Sequence, residues 1–213
     1  MNEVELWSAT KRAEHACNAL VKNGFEAVFV ETKEKAAELV MGYIKEGMNL
    51  GFGGSMTLKT LGIADKAKEK GALILDHNVP GLSPDEKMEI LRRQLTCDIF
   101  LCSVNALTLK GEMMNIDGNG NRVAAMSFGP KKNIVVAGAN KIVANEEEAW
   151  ARIKAKASPM NNKRLAKENP CVKTGFCMDC NNPTRICRTY QILRRKPFLS
   201  DYTVIVVGED LGF

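Results

Sequence analysis

Short apolar runs alternate with amphipathic stretches along most of this chain, and that alternation leaves few folds open. FEAVFV (25–30), NLGFG (49–53), ALILD (72–76), DIFLCSV (98–104), NIVVAG (133–138) and TVIVVG (203–208) read as strands, and Leu109 to Ile116 as one more. Helical periodicity fills the gaps, over 4–22, 33–46, 55–70, from Ser83 onward, near Arg122 and over 146–156. Asn23-Gly24 and Gly47 are stop signals. Ser83-Pro84 with Glu86 is a start signal, in which the serine caps and the glutamate reaches back. Strands that are apolar at nearly every position are buried on both faces. The pattern therefore predicts an α/β fold, a mostly parallel sheet with helices on both faces. At 213 residues the chain suits one such domain with a small appendage.

The rhythm breaks between Ser158 and Leu199. Residues 151–200 hold 12 Lys and Arg against Glu168 and Asp179, while the first 150 hold 18 basic and 20 acidic residues. Four of the seven cysteines fall in the same stretch, Cys171, Cys177, Cys180 and Cys187, with the spacing C-x5-C-x2-C-x6-C. Two residues between cysteines let both sulfurs turn onto one ion. Basic neighbours are expected to lower the thiol pKa values and favour ligation. The organisation read from this is an α/β domain over 1–157 plus 201–213, interrupted by a basic cysteine-rich insertion over 158–200. The metal reading leaves an iron–sulfur cluster and zinc both open. Cys17, Cys97 and Cys102 lie in apolar contexts and read as core residues.

Three segments carry candidate ligand chemistry. In NLGFGGSMTLKTLG (49–62) a strand runs into Gly51, Gly53 and Gly54, and Ser55 and Thr57 open a helix. Such a turn presents backbone N–H groups that suit an anion. It is neither a Walker A loop nor the dinucleotide fingerprint, so no nucleotide cofactor is expected. In the second segment, Asp117-Gly118-Asn119-Gly120 is a turn signal, followed by Arg122. Arg122 could grip a substrate carboxylate with two hydrogen bonds; taken locally it is a surface charge. Third, Asn140 and Lys141 follow the NIVVAG strand. In open parallel sheets ligands bind beyond the carboxyl ends of the strands. Asp76-His77-Asn78 and Glu209 sit at such ends as well. Glu209, Asp117 and His77 are the weak catalytic candidates, none with a partner evident in sequence.

Taken together, GFGGSMT, the run NALTLKGEMMNIDGNGNRVAAMSFGPKKNIVVAGANKIV and the tail NPCVKTGFCMDCNNPTRIC…VIVVGEDLGF resemble the LUD-domain family, the lactate-utilization proteins. The resemblance implies a fold like that of the sugar-phosphate isomerase and coenzyme-A-transferase superfamily, with a cleft for small anionic metabolites. It implies a ligand region made of Gly53, Gly54, Ser55, Thr57, Asn105, Asp117, Gly118, Arg122, Asn140 and Lys141. It also implies iron–sulfur redox partner proteins. The chain departs from the larger members in lacking paired C-x2-C-x2-C-x3-C runs, so one metal centre is the most it would hold.

The leading reading is a protein that binds, or converts, a small anionic metabolite of organic-acid metabolism, with electron transfer through a four-cysteine centre. The alternative is a transferase or isomerase acting on an acyl-coenzyme A or a sugar phosphate. A zinc-type nucleic-acid module comes third, because the basic segment has few aromatics on which bases could stack. The first 20 residues carry Glu3, Glu5 and Glu14 through an amphipathic pattern, unlike a secretory signal, and no run is suited to crossing a membrane. A cytoplasmic location is therefore expected. Exposed helical faces are compatible with a homodimer.

Overall fold

A computed structural model describes residues 2–213. Six strands form one parallel sheet: β1 (Glu26–Val30), β2 (Asn49–Phe52), β3 (Leu73–Leu75), β4 (Ile99–Cys102), β7 (Lys132–Gly138) and β10 (Asp201–Val207), in the order β1-β10-β7-β4-β2-β3. The alternation within each strand shows why both faces need cover. In β7, Ile134 and Val136 point to one side and Val135 and Ala137 to the other, all fully buried. On the first side pack α2 (Lys33–Tyr43), α3 (Met56–Thr60) and α4 (Ile63–Glu69), through Ala36, Val40, Leu58, Ile63 and Ala67. On the second side lie α1 (Glu3–Lys22), α5 (Pro84–Gln94) and α6 (Asn121–Ser127), with Ala13, Ala16, Leu20, Ala125 and Met126 in that core.

Local signals account for most boundaries. Ser83 Oγ accepts from the Glu86 N–H and the Glu86 carboxylate accepts from the Ser83 N–H, so α5 begins on the expected reciprocal cap. The helix read across 55–70 is divided, because Gly62 takes φ +64° between α3 and α4.

The region read as one strand over 109–116 is instead a hairpin. β5 (Ala106–Thr108) and β6 (Met113–Asp117) pair antiparallel around Gly111, which has φ +76°. A Cβ on Gly111 would lie 2.7 Å from the backbone of Ala19 and Leu20, so this turn seats directly on α1. β8 (Ile142–Val143) joins β5 in parallel, and β9 (Thr189–Leu193) joins β6 antiparallel, giving a second sheet β8-β5-β6-β9. β9 lies inside the basic segment, where no strand was expected. Its Ile192 packs, with Cys187, on a small core of Met114, Ile116, Ala149 and Ile153. Between β8 and β9 the chain runs through α7 (Glu146–Arg152), a π-helical turn over Ile153–Ala157, α8 (Ser158–Arg164) and α9 (Pro170–Thr174). Among the described residues no helix is long and apolar enough to cross a membrane.

Candidate functional site

A cleft of about 790 Å3 opens beyond the carboxyl ends of the parallel strands. Its floor is built from the segments after β2, β3, β4 and β7, and one wall comes from the cysteine-bearing segment. Gly53, Gly54, Ser55, Thr57, His77, Asn105, Asp117, Gly118, Arg122 and Lys141 all line it. Asn140 and Glu209 do not.

Lys141 is the centre of the floor. It is only 3% exposed. Its Nζ donates to Ser103 Oγ at 2.7 Å and to Thr57 Oγ1 at 2.9 Å. Burial, followed by the nearby guanidinium groups of Arg152 and Arg122, lowers its pKa from 10.5 to about 7. Thr57 Oγ1 in turn donates to the Leu211 carbonyl at 3.2 Å. The corner that carries Thr57 starts at Ser55, whose Oγ accepts from the Leu58 N–H. Gly54 makes the bend possible with φ +66°. Ser103 escaped the sequence reading, although it follows the strand DIFLC and the strand-end rule applied elsewhere would have marked it.

Arg122 is neither a surface charge nor a free carboxylate grip. Its Nε and Nη2 donate to Asp117 Oδ1 at 3.1 and 2.8 Å, its Nη1 to the Ser103 carbonyl, and its Nη2 also to the Ile116 carbonyl and Asn105 Oδ1. The pair is nearly buried, with side chains 11% and 13% exposed. Asp117 is consumed as well, since Oδ2 accepts from the Val123 N–H at 3.0 Å. A Cβ on Gly53 would sit 3.1 Å from the Arg122 stem, so the glycine makes room for this arginine. Asp117 and Arg122 thus hold the junction of β4, β5 and β6 together, and neither offers an unpaired group to a substrate.

The remaining candidates fall elsewhere. Asn140 clamps the tail: its Nδ2 donates to the Gly212 carbonyl and its Oδ1 accepts from the Leu211 N–H. Glu209 accepts from the Lys33 N–H and so caps α2, away from the cleft. His77 lines the cleft with Nδ1 at 3.1 Å from Gln94 Nε2, and burial lowers its pKa. Among the described residues it has no hydrogen-bonded acid that would activate it as a base.

The cleft is strongly basic. Lys87, Arg122, Lys141, Arg164, Lys167, Arg185 and Arg188 line it against the single acid Asp117, itself paired to Arg122. Lys87 and Lys167 line the cleft with no side-chain hydrogen bond or ion pair among the described residues, so both ammonium groups stay available to a ligand.

Beside the cleft lies a second hollow of about 20 Å3, lined by all four clustered cysteines. That is room for one water-sized sphere. The backbone N–H of Asp179 donates to Cys177 Sγ at 3.3 Å, and Asp179 takes φ +44° to make the turn. The donor set, four thiols around one small space, fits a thiolate metal centre. As placed, no three His, Cys, Asp or Glu side chains among the described residues stand close enough to share an ion. For Cys171 and Cys187 the direction is opposite to the one expected: burial raises both, the neighbouring sulfurs add to it, and the nearby Arg185 guanidinium lowers Cys187 only in part. The guanidinium of Arg185 is turned to the Cys180 and Cys187 carbonyls and the Asp179 carboxylate. Cys17, Cys97 and Cys102 are buried in the main core, as the sequence suggested.

A family model described as LUD domain matches residues 13–207. No curated protein matches the chain. Among solved structures, a DUF162 family protein from Deinococcus radiodurans is similar with a TM-score of 0.51 at 16% identity, covering 93% of this chain and 98% of that one. At that identity the likeness speaks for the fold alone.

Proposed function

This chain belongs to the LUD-domain family, and on that footing we propose that its cleft binds a small anionic metabolite of organic-acid metabolism, of the lactate and pyruvate class. The observation that carries the reading is the charge of the lining, seven basic side chains against one acid that is already paired. An anion entering there meets the unpaired ammonium groups of Lys87 and Lys167 and the partly free guanidinium of Arg188. The position beyond the ends of parallel strands agrees with a cleft of the sugar-phosphate isomerase and coenzyme-A-transferase kind.

The test is thermal unfolding with L-lactate, pyruvate, citrate and inorganic phosphate. A ligand at 100 times its Kd stabilises by about 2.7 kcal/mol. For a chain of this size that raises Tm by roughly 5–10 °C. The gain should shrink with added salt and should be lost in a Lys167→Glu, Arg188→Glu double variant. If none of the four anions raises Tm at millimolar concentration, the reading is wrong.

The second part of the reading assigns Cys171, Cys177, Cys180 and Cys187, on the 158–200 flap, to a metal centre. Its support is their convergence on one hollow and the Asp179 N–H bond to Cys177 Sγ. An iron–sulfur cluster there would supply one-electron transfer to a redox partner protein, whereas zinc would supply rigidity. Protein purified without oxygen should carry stoichiometric iron with visible absorbance, or one zinc without it. Metal-free protein would refute the assignment.

A further inference from the structure

The cleft floor also holds a nucleophile and base at bonding distance, a pairing that anion binding alone does not call for. We propose that Ser103 and Lys141 form a serine–lysine catalytic dyad, oriented by Thr57, that cleaves the acyl bond of a small anionic ester or thioester with water. The inference rests on the anion-binding reading only for the charge of the substrate.

The geometry carries it. Ser103 Oγ and Lys141 Nζ are 2.7 Å apart, within the reach that direct proton transfer needs. The base is in turn fixed by a third group, Thr57 Oγ1 at 2.9 Å, which is the arrangement that marks an activated nucleophile. Thr57 Oγ1 has both the Leu211 carbonyl, at 3.2 Å, and Ser103 Oγ, at 3.3 Å, within donating reach. With its proton on the Leu211 carbonyl its oxygen accepts from Nζ, which leaves the lone pair of a neutral amine for the serine hydroxyl. All three side chains line the cleft, and they come from the segments after β2, β4 and β7.

The surroundings favour a neutral lysine. The charged and titratable groups that act on Lys141 are Arg152 from α7, Arg122 from α6 and Cys102 from β4, and no carboxylate is among them. Burial and the two guanidinium groups bring the amine to about 7, where half of it is free base at neutral pH. A buried lysine kept only for packing would satisfy itself through the same two hydroxyls, and the experiment separates the two cases.

The step balances with water as the only co-reactant. Ser103 Oγ attacks the carbonyl carbon while its proton passes to Lys141 Nζ, forming a C–O bond. The C–S or C–O bond to the leaving group then breaks, and that group takes the proton from Nζ. Water next attacks the acyl-serine, giving one proton to Nζ, and the serine oxygen recovers it as the acid departs. No electrons are transferred.

The experiment treats the full chain with a fluorophosphonate, with intact-mass and peptide mapping, between pH 5 and pH 9. The expected result is one adduct on Ser103, forming at a rate that rises with pH and levels above about 7. Ser103→Ala should abolish it. Lys141→Met should slow it by about 100-fold or more. Thr57→Val, which leaves the pair in place, should slow it less and serves if Lys141→Met does not fold. No adduct on Ser103, or a rate indifferent to pH and to Lys141, overturns the dyad. Substrate class is read by comparing acetyl-coenzyme A with S-acetyl-N-acetylcysteamine, which share the reacting thioester. Faster cleavage of the phosphate-bearing compound supports the anionic class, and equal rates overturn it. Anion stabilisation without a serine adduct sinks the dyad and spares the binding reading; an adduct without stabilisation does the reverse.

Discussion

Replacing Arg122 by methionine separates a structural arginine from a ligand-binding one. The side chain makes five hydrogen bonds inside the protein, to Asp117 twice, Ser103, Ile116 and Asn105, and is 11% exposed. Methionine keeps much of the stem that lies over Gly53 but removes the charge. Asp117, 13% exposed, is then left with the Val123 N–H as its one remaining partner. Breaking a buried pair from one side costs about 3–5 kcal/mol, because a desolvated charge is stranded. For a chain of this length that is a fall in Tm of roughly 6–20 °C. Adding Asp117→Asn removes the stranded charge, so the double variant should recover about 2 kcal/mol relative to Arg122→Met. The assay is urea unfolding followed by far-UV circular dichroism, with equal slopes required across the four proteins. An Arg122→Met loss under about 1 kcal/mol, or the same loss with and without Asp117→Asn, refutes the argument. A ligand-gripping arginine would behave in the opposite way, losing anion affinity at little cost in stability.

The pH dependence of stability should expose Lys141. Its folded pKa of about 7 lies below its ordinary 10.5, so between those values the unfolded chain binds the extra proton and stability rises with pH. Subtracting the Lys141→Met profile from the wild-type profile should give a rising curve over that window, about 1.4 kcal/mol per unit of pKa difference; a flat difference would reject the buried amine. Gly129→Ala should destabilise sharply, because Gly129 has φ +126° and a Cβ there would lie 2.2 Å from the Leu95 carbonyl oxygen. The backbone strain alone is worth roughly 1–3 kcal/mol, and a variant as stable as the parent in urea would show that the 128–131 turn has another conformation.

Local signals carry a reader far into this fold and then stop for a physical reason. β7 and β10 are legible because burial on both faces leaves an unbroken apolar run. The start of α5 is legible because a capping box spans four adjacent positions. β9 is hidden, since TYQIL lies among basic and cysteine residues and gains its strand character from pairing with β6, more than 70 positions earlier. The hairpin at Gly111 is hidden for a similar reason: the contact that demands a glycine there is the backbone of α1. At the site, the rule that strand ends gather ligands brought Gly53, Thr57 and Lys141 to notice. It said nothing of which groups bond to one another. Thr57, Ser103 and Lys141 are separated by 46 and 38 positions, and no spacing pattern records such a meeting. Arg122 was misjudged both as a surface charge and as an open grip, because its partners Ser103, Asn105 and Ile116 are fixed by the second sheet.

The two hollows share a wall, and this sets how the cleft can respond to what fills it. Arg185 and Ile186 line both the large cleft and the cysteine hollow. Arg185 spends its donors on the Cys180 and Cys187 carbonyls, Asp179 and the Tyr190 hydroxyl, so it acts as a brace for the cysteine loop. Ile186 lies so close to Gly118 that a Cβ there would meet its Cα at 3.3 Å. Opposite them, Thr57, Ser103 and Lys141 stand on the ends of strands buried on both faces, where little can move without disturbing the core. One side of the cleft is therefore set by the sheet, and the other by the segment that carries Cys177, Cys180 and Cys187. On the proposed metal-centre reading, an ion held by these cysteines would act on the same Arg185 and Ile186 that line the cleft facing Lys141.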